Sequence, residues 1–392
     1  MKVKMKEKVY SRDVILILAA SFFYFSSPMV VTPLITGFSG SVGASAALMG
    51  IVGGLMNLCS LFCRPLVGNL ADKISKFKLS FCGAGMMALA CLGYIVAGNP
   101  VVIVIARVIN GIGFACCSVC MSTWMSNMLP KEKIGSGMGI YGMMNALGMA
   151  IAPAIGVSAY QAFGYRVSFG IALFISVMIM VVIPFVQNRG EPEPAALSGD
   201  GVNTAASWQI VDWKVIPVAL IIMLFAIPYC ATQSFLVNYV EARELSVTVS
   251  LFFPLYAVVL LLLRLGLKSL FDRLPFKFFL LGSSVSALAG ILCLGFMKNN
   301  LQMFFAALFM AGGYGVMSSV CQSTAILLAG KERRGLANST YYIGLDLGMT
   351  LGPIIGGFLY GHMELSLFYP MLLLTVPLGF IVFLAAHRRK IL

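Results

Sequence analysis

Two charged residues stand inside long apolar stretches of this sequence, and their types suit proton chemistry in a membrane. Asp346 lies in "GLDLGMTLGPIIGG" (344–357), and Arg107 begins "RVINGIGFA" (107–115). A charge at that depth is costly and usually faces a cavity where it serves function. An apolar setting favours the protonated form of a carboxyl group, which is what a proton carrier needs. The alternatives are structural: an acid bonded to a helical neighbour, and an arginine tethered to helix-end carbonyls.

Glycine and proline recur at fixed spacing immediately after Asp346. The series is Gly348, Gly352, Pro353 and Gly356, and the earlier stretch "GMAIAPAIG" (148–156) carries Gly148, Pro153 and Gly156 at matching positions. Small residues four apart let helix backbones approach closely, and proline bends a helix. Ala152 replaces the central glycine in the earlier stretch. Both stretches are therefore predicted to form closely packed, bent helices.

Several polar side chains within the apolar stretches are candidates for lining a central cavity. They are Tyr24, Asn57, Asn110, Asn145, Gln233, Tyr341 and Tyr342. Taken singly, each is better explained by a local hydrogen bond between helices. Taken together, in surroundings rich in Phe and Met, they suit a largely apolar or amphipathic small-molecule substrate. A carrier of highly charged phosphates would be expected to show more buried basic residues than Arg107.

Twelve apolar stretches position these residues. Of the 392 residues, 60% are hydrophobic and only 10% are charged, whereas about a quarter of an ordinary soluble protein is charged. Each stretch is near or above the roughly 20 residues that cross a bilayer. The predicted fold class is an all-α integral membrane protein in the lipid bilayer, with twelve transmembrane helices at 14–37, 44–67, 78–98, 101–128, 134–161, 166–187, 215–239, 247–270, 276–296, 301–329, 335–361 and 366–386.

The sequence repeats itself at a constant offset of 200 residues. Arg64 and Asp72 correspond to Arg264 and Asp272. The residues between 130 and 156 that recur unchanged 200 positions later include Lys131, Glu132, Gly135, Tyr141, Gly148, Pro153 and Gly156. The repeat predicts two pseudo-symmetric six-helix bundles, 1–187 and 215–392, joined by the polar linker 188–214. Two such bundles are the architecture of a transporter that rocks around a site near the bilayer midplane.

The net charge of +13 reports membrane topology. Basic residues are concentrated at both ends of the chain and in alternate loops, whereas the opposite set of loops holds only Arg166, Arg243 and Lys298. Because positively charged loops stay in the cytoplasm, both termini and the linker are predicted to be cytoplasmic, in a multi-pass protein of the cell membrane. The charge therefore does not indicate a nucleic-acid partner.

Nothing in the sequence indicates an enzyme. His362 and His387 lie at helix ends, and there is no Ser/His/Asp set, no intramembrane metal cluster and no Walker loop for ATP. All ten cysteines fall inside the predicted spans, which suits small packing residues better than disulfides or a zinc site. We therefore predict no catalytic residue, no cofactor and no metal. A receptor or scaffold role would need neither the repeat nor Asp346.

The loop after the second helix, "GNLADKISKFK" (68–78), resembles the signature loop of the major facilitator superfamily. Gly68, Asp72, Lys73, Lys76 and Lys78 match, while Ser75 stands where a glycine is usual. The resemblance covers the full length of the chain and implies twelve helices in two bundles. It also implies that Asp72 contacts the positive N-terminal end of the eleventh helix near Gly335 and holds a cytoplasmic gate shut. The alternative is that these basic residues only set topology.

Two further motifs resemble those of the same superfamily. "RVINGIGFA" is similar to its buried-arginine motif, and the two Gly/Pro stretches are similar to a motif of its antiporter members. The resemblance implies a secondary transporter, expected to be monomeric, that moves a small organic compound by alternating access. Proton-coupled efflux, with Asp346 and Arg107 as the coupling residues, is the leading expectation. A proton-coupled uptake symporter for a nutrient or metabolite is the alternative.

Overall fold

The computed structural model describes residues 11–71, 73–129, 134–191, 211–271, 274–328, 334–389 and 392. Within these ranges the regular structure is helical and no strand occurs. The α-helices are α1 Arg12–Ser41, α2 Ala46–Ala71, α3 Lys76–Val96, α4 Pro100–Met128, α5 Ile134–Phe163, α6 Tyr165–Val182, α7 Ile216–Ala242, α8 Phe252–Phe271, α9 Phe276–Gly295, α10 Asn300–Met310, α11 Val316–Leu328, α12 Arg334–His362, α13 Phe368–Leu372 and α14 Thr375–Arg388.

The helices confirm the predicted all-α membrane fold. Among the described residues, 11 helical segments are long and apolar enough to cross a membrane, and the apolar helix Val249–Arg264 is shorter. The predicted tenth span is not one regular helix: a π-helical turn, Ala311–Gly315, separates α10 from α11. The predicted twelfth span consists of α13 and α14 after the short 3-10 turn Leu365–Leu367.

The helix bounds follow the offset of the sequence repeat. The first residues of α3 and α9, Lys76 and Phe276, are 200 positions apart, as are the first residues of α4 and α10, Pro100 and Asn300. The helices α5 and α12, which carry the two Gly/Pro stretches, begin at 134 and 334 in the described residues. The same spacing therefore appears in local structure as well as in residue identity.

The helices group into two compact units. Unit 1 consists of Met1–Val31, Cys59–Ala97 and Val101–Leu197, and unit 2 consists of Thr32–Leu58, Gly98–Pro100 and Ser198–Leu392. The later part of α1 and the earlier part of α2 therefore belong with the second half of the chain. The predicted division into two homologous six-helix bundles, 1–187 and 215–392, rests on the sequence repeat alone. It stays a prediction.

Unit 1 is built on apolar helix contacts that include close approaches between glycines. Its core includes Leu18, Met87, Met121, Trp124 and Ile179. Where α3 crosses α4, a methyl group at Gly83 would lie 2.8 Å from the carbonyl oxygen of Gly113. Only residues without a side chain allow that approach.

The end of α6 is fastened to the same core. The indole Nε1 of Trp124 donates to the carbonyl oxygen of Asn188 at 3.0 Å, and the Asp13 carboxylate accepts the backbone N–H groups of Gln187 and Asn188. The start of the predicted linker is therefore attached to unit 1.

Unit 2 is built around α7, which is buried along most of its length. The long helix α12 lies along it and carries Asp346. From α1, the Thr36 hydroxyl donates to the carbonyl oxygen of Ser234 on α7 at 2.5 Å. The start of α2 packs against α12, where a methyl group at Gly50 would lie 2.6 Å from the carbonyl oxygen of Pro353. Helices α7 and α2 thus both pack directly against α12, and α1 bonds to α7.

Candidate functional site

Asp346 lies in the middle of α12 and is buried, with 4% of its surface exposed. On a helix it shares a face with Thr350, Pro353 and Gly357. That face meets the start of α2, because Gly54 contacts the backbone of Thr350, and Gly50 contacts Pro353 and Gly357. The carboxyl group therefore lies on the face of α12 that α2 covers.

The register between α2 and α12 identifies the next position along this contact. The two helices run antiparallel, since Gly50 meets Pro353 while Gly54 meets Thr350 one turn earlier on α12. One further turn along both helices brings the positions of Asn57 and Leu58 level with Asp346. Asn57 is half-buried. Two of the predicted polar residues thus occupy neighbouring positions at one end of the α2–α12 contact.

Tyr341, on the same helix as Asp346, is bonded to α11. The Tyr341 hydroxyl donates to the carbonyl oxygen of Ser318 at 2.9 Å, and its ring contacts Tyr342 with centroids 5.3 Å apart. Tyr341 also lies near Asp346, about one and a half turns earlier on the same helix. Tyr342 is exposed and its hydroxyl accepts from Gln322 at 3.2 Å. The carboxyl group therefore has a fixed phenol nearby on its own helix.

Arg107 lies on α4 within unit 1, with 1% of its surface exposed. It hydrogen-bonds the hydroxyl of Tyr94 on α3, which also accepts from the Asn110 side-chain amide at 3.2 Å. A buried guanidinium is stabilised by such bonds. Arg107 and Asn110 thus belong to one buried polar network. Tyr94 was not among the residues predicted from the sequence, although it lies at the end of α3 and Arg107 lies near the start of α4, on either side of a short connection.

The other cavity candidates differ in their surroundings. The hydroxyls of Tyr24 and Tyr141 lie 2.6 Å apart and form a buried hydrogen bond between α1 and α5. Gln233 is buried on α7, and Asn145 is half-buried on α5. The local hydrogen bonds of Tyr24 and Asn110 agree with the structural alternative for those two residues. That the set lines a substrate cavity stays a prediction.

The glycines of α12 form a stripe against α7. Methyl groups at Gly348 and Gly352 would lie 2.7 Å from the carbonyl oxygens of Met223 and Ile227, and one at Gly356 would lie 3.0 Å from the Phe235 ring. Gly344 extends the stripe by one turn, because it meets the backbone of Ala219. Gly344 was not predicted from the sequence, although the spacing of four residues continues back from Gly348 to 344.

The corresponding contact of α5 lies in unit 1 and is made against α1. A methyl group at Gly148 would lie 3.2 Å from the Ser26 hydroxyl, and one at Gly156 would lie 2.5 Å from the carbonyl oxygen of Val30. Ala152, between them, is buried. Pro153 and Pro353 both lie inside their helices. The two Gly/Pro helices therefore each pack on the first helix of their own half of the chain.

The signature loop is described in part, because Asp72 lies outside the described residues. Gly68 belongs to α2, and a methyl group there would meet nothing within 4 Å. Lys73 is exposed, whereas Lys76 is buried at the start of α3. Ser75, where the superfamily has glycine, has φ −52°, a conformation open to any residue. Its hydroxyl donates to the carbonyl oxygen of Arg189 at 2.7 Å.

Other chemistry has little support in the described part of the chain. No group of three or more His, Cys, Asp or Glu residues there could hold a metal ion. The ten cysteines are free thiols. The arrangement that remains is a buried carboxyl group on α12 and a separate buried guanidinium network on α4.

Comparison with known proteins identifies relatives along the whole chain. The model of the Major Facilitator Superfamily matches residues 16–300 and 270–390. An uncharacterized MFS-type transporter of Methanocaldococcus jannaschii is 21% identical over 91% of this chain and 94% of its own. The quinolone resistance protein NorA of Staphylococcus aureus is 21% identical over 94% and 96%. The human MFS-type transporter SLC18B1 is 26% identical over 81% and 73%.

Solved structures show the same fold. A crystal structure of the nucleoside transporter NupG has a TM-score of 0.78 at 13% identity, covering 96% of this chain and 100% of its own. The peptide transporter POT in complex with alafosfalin has a TM-score of 0.76 at 13% identity, covering 98% and 96%. At this identity the similarity concerns the fold alone.

Proposed function

The chain belongs to the Major Facilitator Superfamily and is a multi-pass membrane transporter, and we propose that it exports a small organic compound in exchange for protons. The compound is largely apolar or amphipathic, as the polar residues scattered among apolar helices suggest. Transport proceeds by alternating access in a monomer in the cell membrane. We place both termini in the cytoplasm, on the strength of the basic loops.

The burial of Asp346 carries this proposal. It is an acidic residue in the middle of a spanning helix, with 4% of its surface exposed, and its repeat counterpart is Ala146. A carboxyl group in such a site is functional by default and exchanges a proton when its access to water changes. We infer that Asp346 carries the coupling proton and that Arg107, from the α4 network, tunes the transport cycle.

The direction of transport is supported by the relatives. A quinolone resistance protein aligns with almost the whole of this chain, and resistance to a drug is consistent with its removal from the cell. The Gly/Pro stretches on α5 and α12 point the same way through their likeness to an antiporter motif. We therefore favour efflux over uptake.

Gradient-driven flux in proteoliposomes tests the proposal. Purified protein is reconstituted, a pH gradient of either orientation is imposed, and accumulation of compounds from a panel that includes quinolones is followed. Antiport predicts that substrate accumulates in the compartment from which protons leave. Symport would instead move substrate and protons in the same direction, and this result would replace efflux by uptake.

An acidic residue outside the spans supplies the matched control. Glu364 is exposed and lies before the 3-10 turn that precedes α13. Glu364→Gln should retain gradient-driven accumulation, whereas Asp346→Asn should lose it, because only the latter removes a titratable group from a span. Equal behaviour of the two variants would contradict the role of Asp346.

The proposed orientation has its own test. In a protein without native cysteines, Asn299→Cys is expected to react with an impermeant thiol reagent in intact cells. Asp200→Cys, in the predicted linker, is expected to react only after permeabilisation. Labelling of position 200 in intact cells would reverse the orientation.

A further inference from the structure

Three tyrosines from different helices form a buried aromatic cluster in unit 2. Tyr229 on α7 stacks on Tyr314 with ring centroids 4.5 Å apart and planes 16° apart. Tyr229 also packs on Tyr256 of α8, with centroids 4.8 Å apart. We call Tyr229, Tyr256 and Tyr314 the tyrosine cluster. Tyr314 is its most accessible member, with 9% of its surface exposed against 2% for the other two.

The repeat shows that the fold does not require these tyrosines. The residues 200 positions earlier are Met29, Met56 and Phe114. Identical residues support the alignment at each position: Pro28 and Pro228 directly before Met29 and Tyr229, Gly113 and Gly313 directly before Phe114 and Tyr314, and Arg64 and Arg264 on the helices of Met56 and Tyr256. The first half therefore has two methionines and one phenylalanine at the corresponding positions. Three phenol hydroxyls are specific to the second half.

The cluster also requires local adaptations. Tyr314 lies in the π-helical turn Ala311–Gly315. Such turns are rare in proteins, but those that occur often lie at functional sites. A methyl group at Gly315 would lie 2.6 Å from Leu260 Cδ1 and 3.1 Å from the Tyr256 hydroxyl, and the residue 200 positions earlier is Ala115. Burying phenol hydroxyls also costs free energy that Met and Phe would not.

The cluster lies in the same region as the proposed coupling residue. Tyr314 lies near Tyr341, and Tyr341 lies near Asp346 on α12. Asp346, like the three tyrosines, has an apolar counterpart in the first half. Arg264 also interacts with Tyr256 and Tyr341. Arg264 corresponds to Arg64 in the first half. Unlike the three tyrosines, it is therefore not specific to the second half.

We propose that the tyrosine cluster is a specificity site that binds a planar aromatic ring of the transported compound, with Tyr314 as its accessible edge. Aromatic rings attract one another in offset or edge-to-face arrangements at centroid separations of about 4.5–7 Å, and the cluster already holds ring faces in that range. The phenol hydroxyls add hydrogen bonds for polar substituents of the ring. The proposal rests on the proposed function for the nature of its ligand, a small transported compound.

Replacement of each tyrosine by its repeat counterpart tests the proposal. The triple variant Tyr229→Met, Tyr256→Met, Tyr314→Phe imitates residues that the first half already accommodates. Equilibrium binding to full-length protein in nanodiscs is measured with two probes of equal charge, ethidium, which has a planar ring system, and tetrabutylammonium, which has none. We expect ethidium affinity to fall about tenfold or more, as for loss of several aromatic contacts, and tetrabutylammonium affinity to change less than about twofold.

Two further variants keep the test decisive. Tyr369→Phe changes a buried tyrosine of unit 2 that packs on Tyr239, outside the cluster, and ethidium binding should not change. If the triple variant is not folded, as judged by thermal unfolding, the single variant Tyr314→Leu takes its place and is expected to weaken ethidium binding about fivefold.

The outcomes separate this inference from the proposed function. Loss of ethidium binding in the cluster variant alone supports the ring site even if proton-driven flux is absent. Absence of ethidium binding by the unmodified protein, or unchanged binding in the cluster variants, overturns the ring site. That result leaves proton-coupled export by Asp346 standing.

Discussion

The two halves of the chain use matching helices and place opposite charges in them. In the first half, Arg107 is buried on α4 in a network with Tyr94. In the second half, Asp346 is buried on α12. The residues 200 positions from each are Ala307 and Ala146. Since alanine occupies both matched positions, the helical frame that the two halves share requires neither charge.

The halves also differ in how closely their Gly/Pro helices approach a neighbour. On α12, Gly352 lies in the middle of the stripe against α7, where a methyl group would lie 2.7 Å from the carbonyl oxygen of Ile227. On α5, Ala152 carries such a methyl group and is buried. The α12 contact therefore depends on the absence of a side chain at its centre, whereas the α5 contact does not.

After the loss of gradient-driven accumulation expected for Asp346→Asn, the largest expected effect concerns Arg107. Arg107→Ala removes the charged partner of the Tyr94 hydroxyl, and we expect transport to fall at least about tenfold, equivalent to about 1.4 kcal/mol in the transition state. The exposed Arg166 supplies the control, since Arg166→Ala should leave transport near its normal rate. The test compares the initial transport rates of the two variants with that of the unmodified protein, at matched protein content. Normal transport by Arg107→Ala would show that the buried arginine serves packing and not transport.

The packing difference predicts unequal effects of exchanging alanine and glycine. Gly352→Ala should destabilise the protein by about 1–3 kcal/mol, because the methyl group meets the α7 backbone. Ala152→Gly should cost about 1 kcal/mol or less, since it only loosens the helix. Unfolding in detergent, measured side by side, checks the ranking. A larger loss for Ala152→Gly would show that the α5 contact is the more demanding one.

The signature loop predicts a further asymmetry. Asp72→Asn should slow transport by roughly fivefold, as for loss of about 1 kcal/mol at a helix N-terminus, and should favour cytoplasm-open states. Asp272→Asn should matter less, because Lys268 replaces the signature glycine in the second copy. Accessibility of an engineered cysteine on each side of the membrane reports the shift. Equal losses in both variants would count against the gate assignment.

The smallest effect is expected at Tyr24. Tyr24→Phe removes one side of the 2.6 Å hydroxyl pair with Tyr141, and its repeat counterpart is Leu224. A single buried hydrogen bond contributes about 1 kcal/mol, so we expect a modest fall in unfolding temperature and little change in transport. A severe transport defect in this stable variant would instead place Tyr24 in the substrate path.

The fold was predictable from the sequence because its signals are local and repeated. The length of each apolar stretch predicts a membrane-spanning helix. Identical residues 200 positions apart predict which helices correspond, such as α3 with α9 and α5 with α12. The glycine stripe was predictable for the same reason, and continuing it one turn would have added Gly344. The π-helical turn was missed, although "AGGYG" (311–315) interrupts an otherwise regular apolar span.

Of the candidate site, only the two buried charged residues could be predicted from the sequence. The cost of burial singles out Asp346 and Arg107 in any apolar helix, but their neighbours depend on how helices pack. The pairing of Tyr24 with Tyr141, the bond of Arg107 to Tyr94 and the α2 face covering Asp346 arise from contacts distant in sequence. The tyrosine cluster leaves a trace in the sequence only when the two repeats are compared position by position.

The central claim is that Asp346 carries the coupling proton, and paired exchange and accumulation assays on Asp346→Asn test it most directly. Both are run in proteoliposomes with the same substrate, exchange without a gradient and accumulation with an imposed pH gradient. An asparagine imitates the permanently protonated acid, so exchange should persist while accumulation fails. Asp346→Glu should retain part of both, because a titratable group remains. Normal accumulation by Asp346→Asn would contradict the account and move the proton site elsewhere.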